Sequence, residues 1–177
     1  MNPARRFDQK YQEQAVLEDG TRVLLRALGP DDGALLSRHF GALSPDSRYR
    51  RFLGMKNELS EIELSYFTHV DGEMHYALVA VLADRPSEPL GIARFIRSED
   101  EPDVAEPAAA VVDSMQAHGL GRLMLMRLAE AAQERGVKHF SWVMMEDNTP
   151  IHALLRDVGH RLSTRHRGST VSVELAL

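Results

Sequence analysis

Apolar positions change period along the chain, and the changes outline the elements. Two short β-type runs, 14–17 and 22–27, flank Asp19-Gly20, a hairpin signal. Helical spacing follows. Pro30-Asp31-Asp32 opens a helix with Leu35, Leu36 and Phe40 on one face. Ser44-Pro45, a cap with proline at the first helical position, opens a second helix that runs to Phe52. Ser60 and Glu63 form a capping box for a third, which ends near His69 and packs Ile62, Leu64, Tyr66 and Phe67. From Tyr76 the pattern is that of strands: 76–83, 90–96 and 105–112, the first two joined by a turn through Pro86 and Pro89. Residues 119–135 predict the clearest helix, with Leu120, Leu123, Met124, Leu128 and Ala131 on one face and Gly136 as its stop. A strand at 139–145, a short helix at 150–158 stopped by Gly159, and a hairpin of strands 161–166 and 170–177 complete the chain. Residues 1–12 read as a flexible arm.

This order predicts an α/β (α+β) fold: a mixed, mostly antiparallel sheet of about six or seven strands flanked by helices. One strand–helix–strand unit, 105–145, should be a right-handed parallel crossover. The 177 residues suffice for a single domain, 1–177. Cysteine is absent, which removes disulfides, thiolate metal sites and a thiol nucleophile. The histidines show no metal-ligand spacing, so no metal is expected. A net charge of −5 argues against nucleic acid as partner. The one basic cluster, Arg48, Arg50 and Arg51, reads as a solvated helix face. No apolar run approaches the ~20 residues of a membrane span, and none resembles a signal peptide, so the expectation is a cytoplasmic protein without a membrane partner.

The segment that carries chemistry is Gln116-Ala117-His118-Gly119-Leu120-Gly121-Arg122, between a strand and the long helix. Gly119 and Gly121 allow a tight turn and close approach of backbone to a ligand. The helix behind them aims free N–H groups and its positive dipole end into the turn, a place suited to an anion such as a pyrophosphate. The third glycine of a dinucleotide fingerprint and the Gly-Lys-Ser/Thr of a Walker loop are both missing. A plain structural turn is the competing reading. His118 either touches phosphate or is an ordinary loop residue.

Gln-x-x-Gly-x-Gly in this setting resembles the acyl-CoA-binding motif of the GNAT superfamily of N-acetyltransferases. Residues 23–27 with Pro30-Asp31-Asp32 resemble that family's first strand and helix, Gly91-Ile92-Ala93-Arg94-Phe95 its third strand, and Asn148 with Gly159-His160 its closing motif. Residues 43–52 and Ala105-Glu106 are most similar to the GNAT domain of bacterial protein-lysine acetyltransferases of the Pat type. There the domain is usually joined to a large acyl-CoA-synthetase-like partner domain, which has no counterpart in this sequence. The resemblance implies that the strands ending near Val112 and Met145 splay apart. Pantetheine would lie in the gap against backbone groups of Ala110, Val111 and Val112. The pyrophosphate would sit on amides of residues 117–122, and Asn148 would hold the other wall.

The implied reaction moves an acetyl group from acetyl-CoA to a primary amine, a small molecule or a protein lysine, by direct attack. A base must deprotonate the ammonium, and a strand N–H near Ala109 or Ala110 must receive the oxyanion. Glu106 is the candidate base. In Pat-type sequences an Ala-Glu pair stands ten residues before the loop's opening residue, and Glu106 precedes Gln116 by ten. Partial burial would raise its pKa, whereas Pro107 beside it implies a bulge or local break. Many relatives place a tyrosine acid in the last helix; here that position is Leu155. The alternative is a catalytically weak acetyl-CoA-binding regulatory module. The acidic residues Glu58, Glu61, Glu63, Asp71 and Glu73 would suit a cationic acceptor. A homodimer is the superfamily's habit.

Overall fold

The computed structural model describes residues 5–148, 151, 154 and 162–177. A single sheet organises them. Its strands are β1 (Gln12–Val16), β2 (Arg22–Ala27), β3 (His75–Leu82), β4 (Pro89–Arg97), β5 (Val104–Val111), β6 (His139–Met145), β7 (Leu162–Arg167) and β8 (Thr170–Ala176), in spatial order β1-β2-β3-β4-β5-β6-β8-β7. Only β5 and β6 pair in parallel. The mixed, mostly antiparallel architecture thus follows the sequence pattern. The sheet has eight strands rather than six or seven, because the N-terminal and C-terminal hairpins both join it. The α-helices among the described residues are α1 (Gly33–Ala42), α2 (Pro45–Phe52), α3 (Glu61–Thr68) and α4 (Leu120–Gln133). The short helix expected at 150–158, with His152, Leu155 and Gly159-His160 around it, lies outside the described residues apart from Ile151 and Leu154.

Alternation along the strands sorts the core into two layers. On one face, Tyr76, Leu78 and Ala80 of β3, Ala93 and Phe95 of β4 and Ala105 of β5 meet Leu120, Met124, Leu128 and Ala131 of α4. Those four α4 residues are fully buried, as their 3.6-residue spacing requires. On the other face, Ala77, Val79 and Val81 of β3 and Ile92 of β4 meet Leu35 and Leu36 of α1, with Leu64 and Phe67 of α3 beside them. Ile62 and Tyr66, expected to pack with them, point outward at 82% and 53% exposure. An eight-residue helix turns only one stripe to the sheet, and Leu64 and Phe67 fill it.

Within residues 5–12 two side chains pack into the core. Phe7 and Tyr11 are buried in the α4-side core. Arg135 donates to the Phe7 carbonyl at 2.7 Å, and the Arg6 and Phe7 N–H groups donate to the Glu134 carboxylate. Two aromatic rings four residues apart supply enough apolar area to fix an otherwise polar segment. Beyond the arm, Glu13 of β1 accepts two 2.8 Å bonds from Arg127 of α4.

Two histidines lie in the layer under α1 and α3. His39 is bonded through Nε2 to the Ala110 carbonyl at 3.2 Å, and His75 Nε2 accepts from Arg94 at 3.1 Å. Removal from water, with nearby arginines adding repulsion, pushes both down to about 4. Below pH 6.5 the unfolded chain therefore takes up protons that the folded chain refuses, so stability falls as pH drops from 6.5 toward 4. We expect a loss of about 1 kcal/mol per buried histidine at pH 5.5 relative to pH 7.5. Urea unfolding at the two pH values checks this, and His75→Gln should flatten the profile. An unchanged urea midpoint would show that the histidines ionise freely in the folded state.

Candidate active site

The site begins where β5 and β6 part. They pair only at Val104–His139 and Ala105–Phe140. Beyond Ala105 the gap widens into a cleft of about 270 Å³, walled by Glu106 to Ala109 of β5, Trp142 to Met144 of β6, and Arg50 to Phe52 of α2 with Leu53 after them, with Asn148 at its rim.

Pro107 contributes to the parting. The Val112 N–H donates to Leu90 and the Ser98 N–H to Val104. These bonds bracket the β4–β5 ladder and fix its alternation, so Phe95–Pro107, Ala93–Ala109 and Gly91–Val111 are pairs that do not bond each other. The N–H groups of Ala109 and Val111 therefore face the gap. At Pro107 the donor that would continue the parallel ladder toward β6 does not exist. The register with β4 runs unbroken from Gly91–Val111 to Arg97–Ala105, so the bulge expected at Pro107 is not there. The missing N–H falls on the side where the ladder ends.

The same alternation places the side chains. Glu106, Ala108 and Ala110 face α1 and α2, opposite Ile96, Arg94 and Ile92 of β4. Glu106 thus reaches the cleft on the side of α2, where its charge attracts Arg51. It is exposed, not partly buried as its position on a strand implied. The Ala105 and Pro107 side chains on either side of it are the buried ones.

The backbone of Ala110, Val111 and Val112 is less available than the sequence implied. The Ala110 carbonyl meets His39, the Val111 carbonyl accepts from Gln116 Nε2 at 3.2 Å, and the Val112 N–H is held by Leu90. Open toward the gap are the N–H groups of Ala109 and Val111. Gln116 also donates to Ser47 at 3.3 Å, so its side chain ties the loop to α2.

The following turn has the geometry of an anion site. Ala117 and Gly119 both adopt left-handed backbone, φ 63° and 85°, which Gly119 tolerates without strain. No side chain caps α4 and no acid lies in its first turn, so the amides of Leu120, Gly121 and Arg122 keep their donors. The Leu120 side chain is in the core, and Arg122 is exposed. A Cβ on Gly121 would come within 3.3 Å of the Leu154 side chain and 3.8 Å of that of Val111, so even an alanine there would press on its neighbours. His118 is held by the Gln116 carbonyl at 2.7 Å and lies 3.7 Å from Asp19 in the β1–β2 turn, which turns it away from a purely solvent role. Asn148 donates its N–H to Met145.

The sequence predicts α2 at these bounds but not what its arginines do. The cluster Arg48, Arg50 and Arg51 is not a solvated face. Arg48 donates to the carbonyls of Phe40, Gly41, Leu43 and Asn57, Arg50 to that of Asp147 across the cleft, and Arg51 turns inward. Asp113 accepts from the Ser44 N–H and from the hydroxyls of Ser44 and Ser47, anchoring the start of α2. The signal lies in Ser-Pro-Asp-Ser, whose two serines both give hydroxyls to Asp113 besides opening the helix. None of the acidic residues expected to face an acceptor lines the cleft: Glu63 pairs with Lys56, Glu73 with Arg5, and Asp71 accepts three backbone N–H groups. Among the described residues no group of three or more histidine or carboxylate side chains is placed to hold a metal, and no helix is long and apolar enough to cross a membrane.

With this geometry in place, comparison with known proteins is informative. The acetyltransferase (GNAT) family model matches residues 42–160. An acetyltransferase of Pseudomonas aeruginosa is 30% identical over 123 residues, 69% of this chain and 66% of that protein. Acetyltransferase Pat of Mycolicibacterium smegmatis is 28% identical over 123 residues, 66% of this chain but 34% of that protein, so the matched part spans about a third of its length. The crystal structure of the GNAT domain of S. lividans PAT superposes with a TM-score of 0.85 at 26% identity, covering 94% of this chain and 97% of that one.

The anchoring of α2 yields a direct expectation. Asp113→Ala removes three hydrogen bonds from an element with no buried residue. Amide exchange in α2 should accelerate about tenfold, on the scale of ~1 kcal/mol of local stability, while β3 and β4 keep their protection. Unchanged exchange in α2 would mean that Arg48 alone holds it.

Proposed function

The chain belongs to the GNAT family of acetyltransferases, and on that footing we propose that it moves an acetyl group from acetyl-CoA to a primary amine. The observation that carries this is the cleft between β5 and β6, with the Glu106 carboxylate on one wall, gap-facing N–H groups on β5 and an uncapped α4 at its end.

In this reading the pyrophosphate rests on the amides of residues 119–122, where the helix dipole and open donors offset its charge. Pantetheine runs into the gap along β5. The Val111 N–H is one partner for its amides, and the Ala109 N–H is the donor nearest the thioester oxygen. Asn148 and Met144 form the opposite wall.

An ammonium has no lone pair to attack with, so the acceptor must lose a proton first. Glu106 takes it, directly or through a water. The neutral nitrogen attacks the thioester carbon, a C–N bond forms, and negative charge gathers on oxygen beside the Ala109 N–H. Collapse breaks the C–S bond, and the nitrogen, cationic after the attack, releases its second proton to water to leave the neutral amide. The thiolate, whose conjugate acid has a pKa of ~8.5, takes a proton from water without a dedicated acid. A protein lysine is the favoured acceptor class, on the resemblance of residues 43–52 and Ala105-Glu106 to Pat-type domains; a small-molecule amine is the other.

Glu106→Gln keeps the shape and removes the basicity. It should lower turnover by ~10²-fold or more with acetyl-CoA affinity unchanged. CoA release against a panel of amines and lysine peptides, with calorimetry of acetyl-CoA binding, measures both. Near-parental turnover in the variant would place the base elsewhere. Binding of acetyl-CoA with no CoA release from any acceptor would mark the chain as a silent binding module.

A further inference from the structure

The face of β5 that carries Glu106 also leads to a second, smaller cavity. It has a volume of about 30 Å³ and is bounded by Arg51, Arg94 and His39 together with Phe40, Phe67 and Ile92. A water needs roughly 10–15 Å³ on this measure, so the space takes about two waters or one carboxylate group. Arg51 lines both this cavity and the main cleft.

Its wall is cationic to an unusual degree. Arg94 is 3% exposed and stacks on Phe67 at 4.3 Å. Its Nη1 donates to the Phe67 carbonyl and to His75. Its Nε and Nη2 make no hydrogen bond to a described residue and, unlike the Tyr76 hydroxyl, are not fully sealed from solvent. Arg51, half-buried, makes no hydrogen bond or ion pair there either. Buried charge is normally matched by an opposite charge, because an unmatched ion in a low dielectric is strongly disfavoured. Here two guanidinium groups repel each other, and burial with that repulsion draws Arg94 down to about 9. Glu106 acts on Arg51 only from the cleft side. His39, which stays neutral, spends its Nε2 on the Ala110 carbonyl.

We infer that this cavity is an anion subsite of the acceptor, in which Arg51 and Arg94 receive a carboxylate carried close to the amine that is acetylated. Register sets the spacing. Arg94 stands directly across from Ala108, so Glu106 is its diagonal neighbour on the same face. Diagonal positions lie about 7–8 Å apart, a span of a few carbon atoms. An acceptor whose ammonium faces Glu106 can thus place its carboxylate on the arginines. A free amino acid and a protein lysine beside an acidic residue both have this chemistry. The identity of the amine end rests on the acetylation reading above; the binding of a carboxylate does not.

The test titrates the whole chain with matched acid and neutral probes: β-alanine and its amide, γ-aminobutyrate and its amide, and an end-blocked lysine peptide with glutamate beside the lysine against the same peptide with glutamine. Calorimetry reads binding and CoA release reads transfer. At least one acid should bind tenfold or more tightly than its neutral counterpart, and the pair that does so tells a free amino acid from a peptide. Arg51→Gln and Arg94→Gln should each cut that preference below threefold. Arg94 is part of the core, so if its variant does not fold, Arg51→Gln decides. No preference for an acid in any pair, or a preference that survives Arg51→Gln, overturns the inference. Acid preference without CoA release would leave the subsite standing and sink the acetylation reading; CoA release without acid preference would do the reverse.

Discussion

The structure depends on two strands that stop pairing. β5 and β6 share only two register positions, yet each is held along its other edge. β4 pairs with β5 through seven positions and β8 with β6 through seven. Each arm of the opening therefore satisfies one side of its backbone completely, and only the inner side is left with groups to spare. Such groups are costly when buried and unpaired, so an open strand edge is stable only where water or a ligand can reach it. Pro107 lowers the cost by removing one donor from that edge at the first odd position past the last paired residue.

Holding the opening requires a floor and a roof. α4 is the floor: a fully apolar stripe anchors it across the sheet, which leaves its N-terminus pointing at the end of the gap. α2 is the roof, and it is built on a different principle. It buries no residue and is fixed by Asp113, by four carbonyls around Arg48 and by the reach of Arg50 to Asp147. Net contributions of about 1 kcal/mol per hydrogen bond make it an element that opens locally far more cheaply than the sheet below.

Periodicity made most of this legible. The α4 stripe and the strands at 76–83 and 139–145 are long or strongly patterned, and the positive φ of Gly119 is what a glycine before a helix announces. The reading was less successful wherever a side chain answered to a partner distant in sequence. Phe7 and Tyr11 sit in a polar segment, and only the core they enter explains them. Pro107 signals a break, but which edge of the strand carries the break depends on ladder parity, a property of the pair β4–β5 and not of either sequence. Ile62 and Tyr66 match the helical period and still face out, since a two-turn helix has room for one packed stripe.

Charge is where composition is least informative. A chain with net charge −5 would be expected to present acidic walls to an amine. Its acids are instead committed elsewhere: Glu13 to Arg127, Glu63 to the cap of α3, Glu73 to Arg5, Asp113 to the start of α2. What is left around the cleft is Glu106 facing Arg51, with Arg94 behind it. The field there is that of one carboxylate among cations, which is set by which partners the fold has already consumed. Arg51 is the shared member: it lines both the cleft that holds Glu106 and the smaller cavity that Arg94 bounds, so what is bound in one space alters the charge facing the other.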